Sequence, residues 1–299
     1  MTILSIVIGL VFVLLLLSLL ATTIMELIAS FFHLRGRNLL EALRNMLARS
    51  DASETILNDF KSNSLYRQLA QRYGRNGNSH QPPSYITADT FQSILFDIIL
   101  KGEGLDKLQA QINELPDDDL RNVLNQLLRD ADYQLEGFKT HIEGWYNNVM
   151  DRASGWYKRY TQKILIGVGM VIAVVFNADT LGIYSQLKAD PEKLQTIVAL
   201  AEQFAENGDG TVYRSNTQDF AANAEALNAL LADQISAVSS PLGLGWDAED
   251  LNFAQYTAYD WVTKILGFLV TALGISLGAP FWFDLLRKIV NIRSSGVKP

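Results

Sequence analysis

Three stretches of the chain are apolar without alternation. Residues Ile3 to Phe32 carry one charge, Glu26, whereas Ile164 to Phe176 and Ile265 to Phe283 carry none. A helix rises about 1.5 Å per residue, so roughly 20 apolar residues cross a hydrocarbon core of roughly 30 Å. The pattern predicts a first transmembrane helix over residues 3–32, its span covering about 3–24. A cleaved leader would need a basic start and a shorter apolar centre, but the chain opens Met1-Thr2, so an uncleaved helix is expected. The second run is short and needs its tyrosine-rich approach to cover a bilayer; it predicts a helix over 161–179. The third predicts one over 261–283.

Between these runs the apolar positions recur at three and four, the period of a helix with one buried face. From Asn38 to Tyr73 the stripe includes Leu39, Leu43, Met46 and Leu47, and Asp51 with Glu54 has capping-box spacing for a helix starting near Ala52. Gly74 to Tyr85 reads as a loop. Thr87 or Asp89 caps a helix bearing Phe91, Ile94, Leu95, Ile98 and Ile99, and Leu105 to Leu115 forms another. Pro116 followed by Asp117, Asp118 and Asp119 starts a long helix, expected to run from Leu120 through Trp145 towards the second span. These three carboxylates suit the positive helix end, which explains them without a metal. Residues 33–160 thus form a helical domain. Residues 180–260 form a second, with helices from Pro191 to about Ala205 and from Asn216 or Thr217 past Ile235. The fold class is an all-α membrane protein: three transmembrane helices, a helical cytoplasmic domain and a small helical acidic extracytoplasmic domain.

Charge supplies an orientation. Residues 177–260 hold thirteen acidic side chains against Lys188, Lys193 and Arg214. The segments 33–50, 152–163 and the tail 284–299 are rich in Lys and Arg. Basic loops stay in the cytoplasm, so residues 33–160 and the basic tail are expected inside, with the N-terminus and 180–260 outside. A net charge of -7 argues against nucleic acid as a partner. There is no cysteine and there are only three histidines, so thiolate chemistry is excluded and a histidine-rich metal site is not expected. Asp209 and Asp247 to Asp250 lack the calcium-loop ligand pattern. With no nucleophile–base pair, phosphate loop or dinucleotide fingerprint in view, no enzyme activity and no cofactor are expected.

Some positions stand out within the spans. Trp156, Tyr157, Lys158, Arg159 and Tyr160 mix rings and cations as the headgroup layer favours, and Phe281, Trp282 and Phe283 read as a second aromatic belt. Gly274 and Gly278 have the spacing for close helix approach, and Gly267 lies two turns earlier on nearly the same face, so all three are candidate helix-packing positions. Gly167, Gly169 and Ala173 give the second span a small-residue face that could fill the groove instead. Glu26, Asn177 and Asp179 are the candidate intramembrane polar residues.

Four blocks carry a resemblance. They are LSLLATTIMELIASFFHLRGRNLLEALRNML, PPSYITADTF, GWYNNVMDRASGWYKRYTQ with VVFNADT, and PLGLGWD with LGAPFWFDLLRKIVNIRSSG. With these the chain resembles an uncharacterised family of bacterial multi-span membrane proteins. It departs from that pattern at Asn63 to Tyr66, where a His-Pro-Leu-Ile-like run is expected, and at Arg287, where a smaller polar residue is expected. The resemblance implies a bacterial inner-membrane location and names no activity. The function expected is a non-enzymatic membrane scaffold or assembly subunit. It would self-associate as a homo-oligomer through its spans and offer its cytoplasmic domain to a protein partner. The alternative is a subunit of an oligomeric channel or transport component, with Glu26, Asn177 or Asp179 facing the lumen.

Overall fold

The computed structural model describes residues 2–48, 54–73, 79–207, 220–236, 238, 244–246 and 256–295. Among the described residues the regular elements are helices apart from one small hairpin. The chain divides into two compact units, Phe32–Arg159 and Met1–Phe31 with Tyr160–Pro299. The expected cap residue Asp51, and Asp209 and Asp247 to Asp250, lie outside the described residues.

In the unit Phe32–Arg159, α2 (Leu34–Leu47), α3 (Glu54–Ser62), α4 (Ser64–Leu69), α5 (Ala88–Leu100), α6 (Leu108–Asn113) and α7 (Asp118–Asp130) surround one apolar core. The long helix α8 (Leu135–Val175) contributes its first part. Thr87 caps α5, one of the two residues expected there, whereas the helix expected to start at Pro116 starts at Asp118, with Asp117 as its cap and only Asp118 and Asp119 in its first turn. Thr87 Oγ1 accepts from Thr90 N at 3.2 Å, and Asp117 Oδ1 accepts from Leu120 N at 2.7 Å. Phe60, Phe91 and Phe138 are fully buried. The Phe91 ring stacks on Tyr146 at 4.7 Å, and the Tyr146 hydroxyl donates to Ile86 O at 2.7 Å. Asn38 Nδ2 donates to Ala153 O at 3.3 Å, which ties α2 to α8.

Two expectations change here. The helical pattern ending at Tyr73 and the loop from Gly74 each contain a short strand, β1 (Gln71–Tyr73) and β2 (Ser79–Gln81), paired antiparallel with Arg72 opposite His80. Three-residue strands leave no usable period in a sequence. The long helix expected from Pro116 breaks at Ala131 to Gln134, where Asp132 and Tyr133 take φ of 49° and 58°. From Leu135 it runs unbroken for 41 residues, past Gly144 and Gly155.

The other unit is organised on α1 (Thr2–Phe31), whose middle from Val11 to Ala21 is buried along its whole length. Around it pack α9 (Thr180–Ala189), α10 (Pro191–Asn207), α11 (Phe220–Ala229), α12 (Ala258–Ser276) and α13 (Ala279–Ser295). Leu230–Ile235 extends α11 in π geometry. Among the described residues two helices, Ile3–Phe31 and Ala258–Ser276, are long and apolar enough to cross a membrane. A third candidate is the pair α8 and α9, bent by 46° at its break. The third apolar run is not one helix: α12 stops at Ser276, Gly278 takes φ +86°, and α13 begins at Ala279. Pro280 therefore sits in the first turn of a new helix, where its missing N–H costs nothing, and does not kink an old one.

Candidate functional site

The richest polar constellation lies where α8 gives way to α9. The α8 ladder ends at Val175, and Asn177 adopts the left-handed conformation, φ 48°. Helix ends leave carbonyls without intrahelical donors, and here a distant loop supplies them. Trp246 Nε1 donates to Val174 O at 2.8 Å, and Gly245 N donates to Phe176 O at 2.9 Å. In return Asn177 Nδ2 donates to Gly245 O at 2.9 Å. Asp179 then caps α9, accepting from Leu181 N at 2.9 Å.

Thr271 of α12 completes the seam. Its hydroxyl donates to Gly267 O at 2.9 Å and accepts from Thr180 N at 3.0 Å. Since its one proton is used, the 2.6 Å contact with Thr180 Oγ1 is a bond donated by Thr180. All of this is buried: Thr271 is inaccessible and Thr180 nearly so. A side chain at Gly267 would strike the Asp179 carboxylate, so glycine is needed for this approach. Next to the seam, the Lys264 ammonium sits 4.6 Å from the Trp246 ring centre and 5.2 Å from that of Tyr256, and donates to the Tyr256 hydroxyl at 3.0 Å. The rings stabilise the cation through their negative faces.

The remaining sequence candidates divide by partner. Gly169 meets Ala272 of α12, where an added β-carbon would lie 3.2 Å from Ala272 O. Gly274 faces Leu14 of α1 and the Trp282 ring at 3.4 and 3.5 Å, so its side is filled from within the chain. Gly278 lies in the interhelix turn and so does not share a helix face with Gly274 and Gly267. Of the second aromatic set, Phe281 points outward, but Trp282 Nε1 donates to Gly274 O at 2.7 Å and Phe283 is buried against Phe204. Trp156 and Tyr160 are about half exposed, Lys158 and Arg159 are exposed, and Tyr157 is half-buried. Glu26 is half-buried on α1.

Chemically the seam is a set of hydrogen bonds, and among the described residues in it no nucleophile faces a base. Among the described residues no group of His, Asp or Glu could hold a metal ion. Thr271, Trp246 and Lys264 escaped the sequence reading. The one signal for Thr271 was a hydroxyl in mid-run, four residues after Gly267. No protein-family model, no curated protein and no solved structure matches the chain.

Proposed function

We propose that this chain is a non-enzymatic scaffold or assembly subunit integral to the bacterial cytoplasmic membrane. The observation that supports it is the outer face of α12. Val262, Ile265, Leu266, Leu269, Val270 and Leu273 are 41 % to 57 % exposed on this one helix. Val171, Val174 and Val175 of α8 are exposed as well. Such a face is unfavourable in water, where contiguous apolar patches above a few hundred Å² mark an interaction surface. A bilayer covers it without a partner. The unit Phe32–Arg159 is then the soluble module offered to a cytoplasmic protein, an orientation that rests on the basic segments 33–50 and 152–163.

Self-association is part of this reading, but its surface shifts. Asp179 occupies the side of Gly267, and Leu14 and Trp282 occupy that of Gly274, so copies meet away from these glycines and away from the lipid-covered face of α12. The scaffold reading gains over the channel reading because the side chains of Asn177 and Asp179 are engaged inside the chain. Two measurements test it. The protein should stay in the membrane fraction after an alkaline carbonate wash. Extraction in native nanodiscs should give a mass above that of one chain, or a stoichiometric partner. Release by carbonate, or a bare monomer in the discs, would overturn it.

A further inference from the structure

The chain as a whole carries more acid than base, 32 Asp and Glu against 25 Lys and Arg. Two short segments reverse that balance. Residues 33–50 hold four arginines against Glu41, and residues 152–163 hold four cations and no acid. Within the unit Phe32–Arg159 the fold joins parts of these segments. Asn38 Nδ2 of α2 donates to Ala153 O of α8 at 3.3 Å. Arg35 and Arg37 lie within one turn of Asn38, Trp156 lies one turn beyond Ala153, and Lys158 with Arg159 falls in the turn after. Gly36, between the two arginines, is buried against Pro82, where an added β-carbon would meet Pro82 O. The first turn of α2 is therefore held close to the body of this unit. Arg37, Lys158, Arg159 and the Trp156 ring are exposed, and Arg35 is half-buried.

Position along the chain selects a ligand. Arg35 and Arg37 come four and six residues after Phe31, the last residue of the candidate span α1. Lys158 and Arg159 come six and five residues before Ile164, where the second apolar run begins. At the rise of a helix the α8 pair lies about 7–9 Å ahead of that run. The headgroup layer of each leaflet occupies about 5–8 Å outside the hydrocarbon, and long basic side chains extend towards it. What this layer offers a cation is phosphate. A guanidinium pairs with phosphate oxygens as a fork, and an indole favours the same depth. Arg152, about 18 Å ahead of Ile164 along the helix, falls outside the layer.

We propose, on the membrane reading given above, that Arg35 and Arg37 of α2 with Lys158 and Arg159 of α8 form a binding surface for the phosphate headgroups of anionic phospholipid in the same bilayer. A cation near the membrane surface favours anionic over zwitterionic lipid by roughly fivefold. The test uses the full chain, delipidated in detergent and titrated with phosphatidylglycerol or phosphatidylcholine, with lipid adducts counted by native mass spectrometry. The parent should prefer phosphatidylglycerol by about tenfold or more. Arg35→Gln with Arg37→Gln, and Lys158→Gln with Arg159→Gln, should each cut that preference at least about fivefold, whereas Arg152→Gln should leave it. Raising ammonium acetate should weaken the parent's preference without any substitution, because salt screens exposed charges. A parent without preference, or one indifferent to salt, would overturn the proposal. So would pair variants that keep the preference, or an Arg152→Gln protein that loses it as they do. Displacement of the lipid by an equimolar single-stranded oligonucleotide, or by inorganic phosphate, would take the surface away from lipid. Carbonate extraction separates the two readings. A chain that resists carbonate yet shows no preference loses this inference alone, and a chain that carbonate releases loses the membrane reading beneath it.

Discussion

Replacing Thr271 by valine keeps the shape of the buried side chain and removes its oxygen. That oxygen serves three bonds: it accepts from Thr180 N and Thr180 Oγ1 and donates to Gly267 O. Gly267 O keeps its place in the α12 ladder and loses little. The Thr180 hydroxyl can turn elsewhere. Thr180 N, in the first turn of α9, is left buried without its acceptor. An abandoned buried donor costs about 1–3 kcal/mol and an ordinary bond about 0.5–1.5 kcal/mol. A loss of about 2–3 kcal/mol is therefore expected if the seam is sealed from water and lipid alike. Polar pairs between membrane helices are measured at about 0.6 kcal/mol on average and about 1.7 at most, because the unfolded helices find other partners. The two ranges leave about 1.5–2.5 kcal/mol as the expected cost. Thr180→Val removes only the hydroxyl pair and should cost about 0.5–1 kcal/mol. The double variant should be less destabilised than the sum, since the hydroxyl bond is counted in both. The assay is reversible unfolding in detergent micelles, followed by helical circular dichroism. A Thr271→Val protein within about 0.3 kcal/mol of the parent, with strictly additive singles, would refute the seam as the lock between α9 and α12.

Other outcomes follow from the same contacts. Gly267→Ala should destabilise by about 1–3 kcal/mol through overpacking against Asp179, and Asp179→Ala in the same chain should recover part of it, as thermal unfolding in micelles will show. Trp282→Phe should cost about 0.5–1.5 kcal/mol by removing the bond to Gly274 O, read in the same assay. Burial pushes the Tyr66 phenol from 10.0 up to about 12, and Tyr146 is also raised, first by burial and then by neighbouring Tyr85. The folded unit thus keeps both phenols neutral where the unfolded chain ionises them. The stability this represents is intact below a pH of about 10 and is lost as pH climbs through about 12. Alkaline titration of tyrosinate absorbance should show late-titrating tyrosines, absent from Tyr66→Phe and Tyr146→Phe in turn.

Much of the local structure could be read from the chain. The Thr87 cap follows from a side chain that satisfies the first free N–H groups of a helix, and α1 follows from an apolar run that needs no partner to be recognised. Breaks were harder. The sequence around Asp132 and Tyr133 keeps its helical stripe, yet both residues adopt positive φ. At Gly278 a glycine directly followed by Ala279-Pro280 was a legible stop and restart, but the apolar run through Phe283 overrode it. What no local pattern carries is pairing at long separation. Thr180 and Thr271 are 91 positions apart, and Glu202 meets Arg293 only because α13 turns back.

The central claim is that lipid covers the outer face of α12. A nitroxide attached at Leu269→Cys, in protein reconstituted into bilayers, tests this by collision with two relaxing agents. Apolar oxygen concentrates in the hydrocarbon, and a nickel chelate stays in water. The account predicts high oxygen and low nickel accessibility at Leu269→Cys, with the reverse at Gln195→Cys on the polar face of α10. A label at Leu269→Cys that the nickel chelate reaches as readily as one at Gln195→Cys would contradict it.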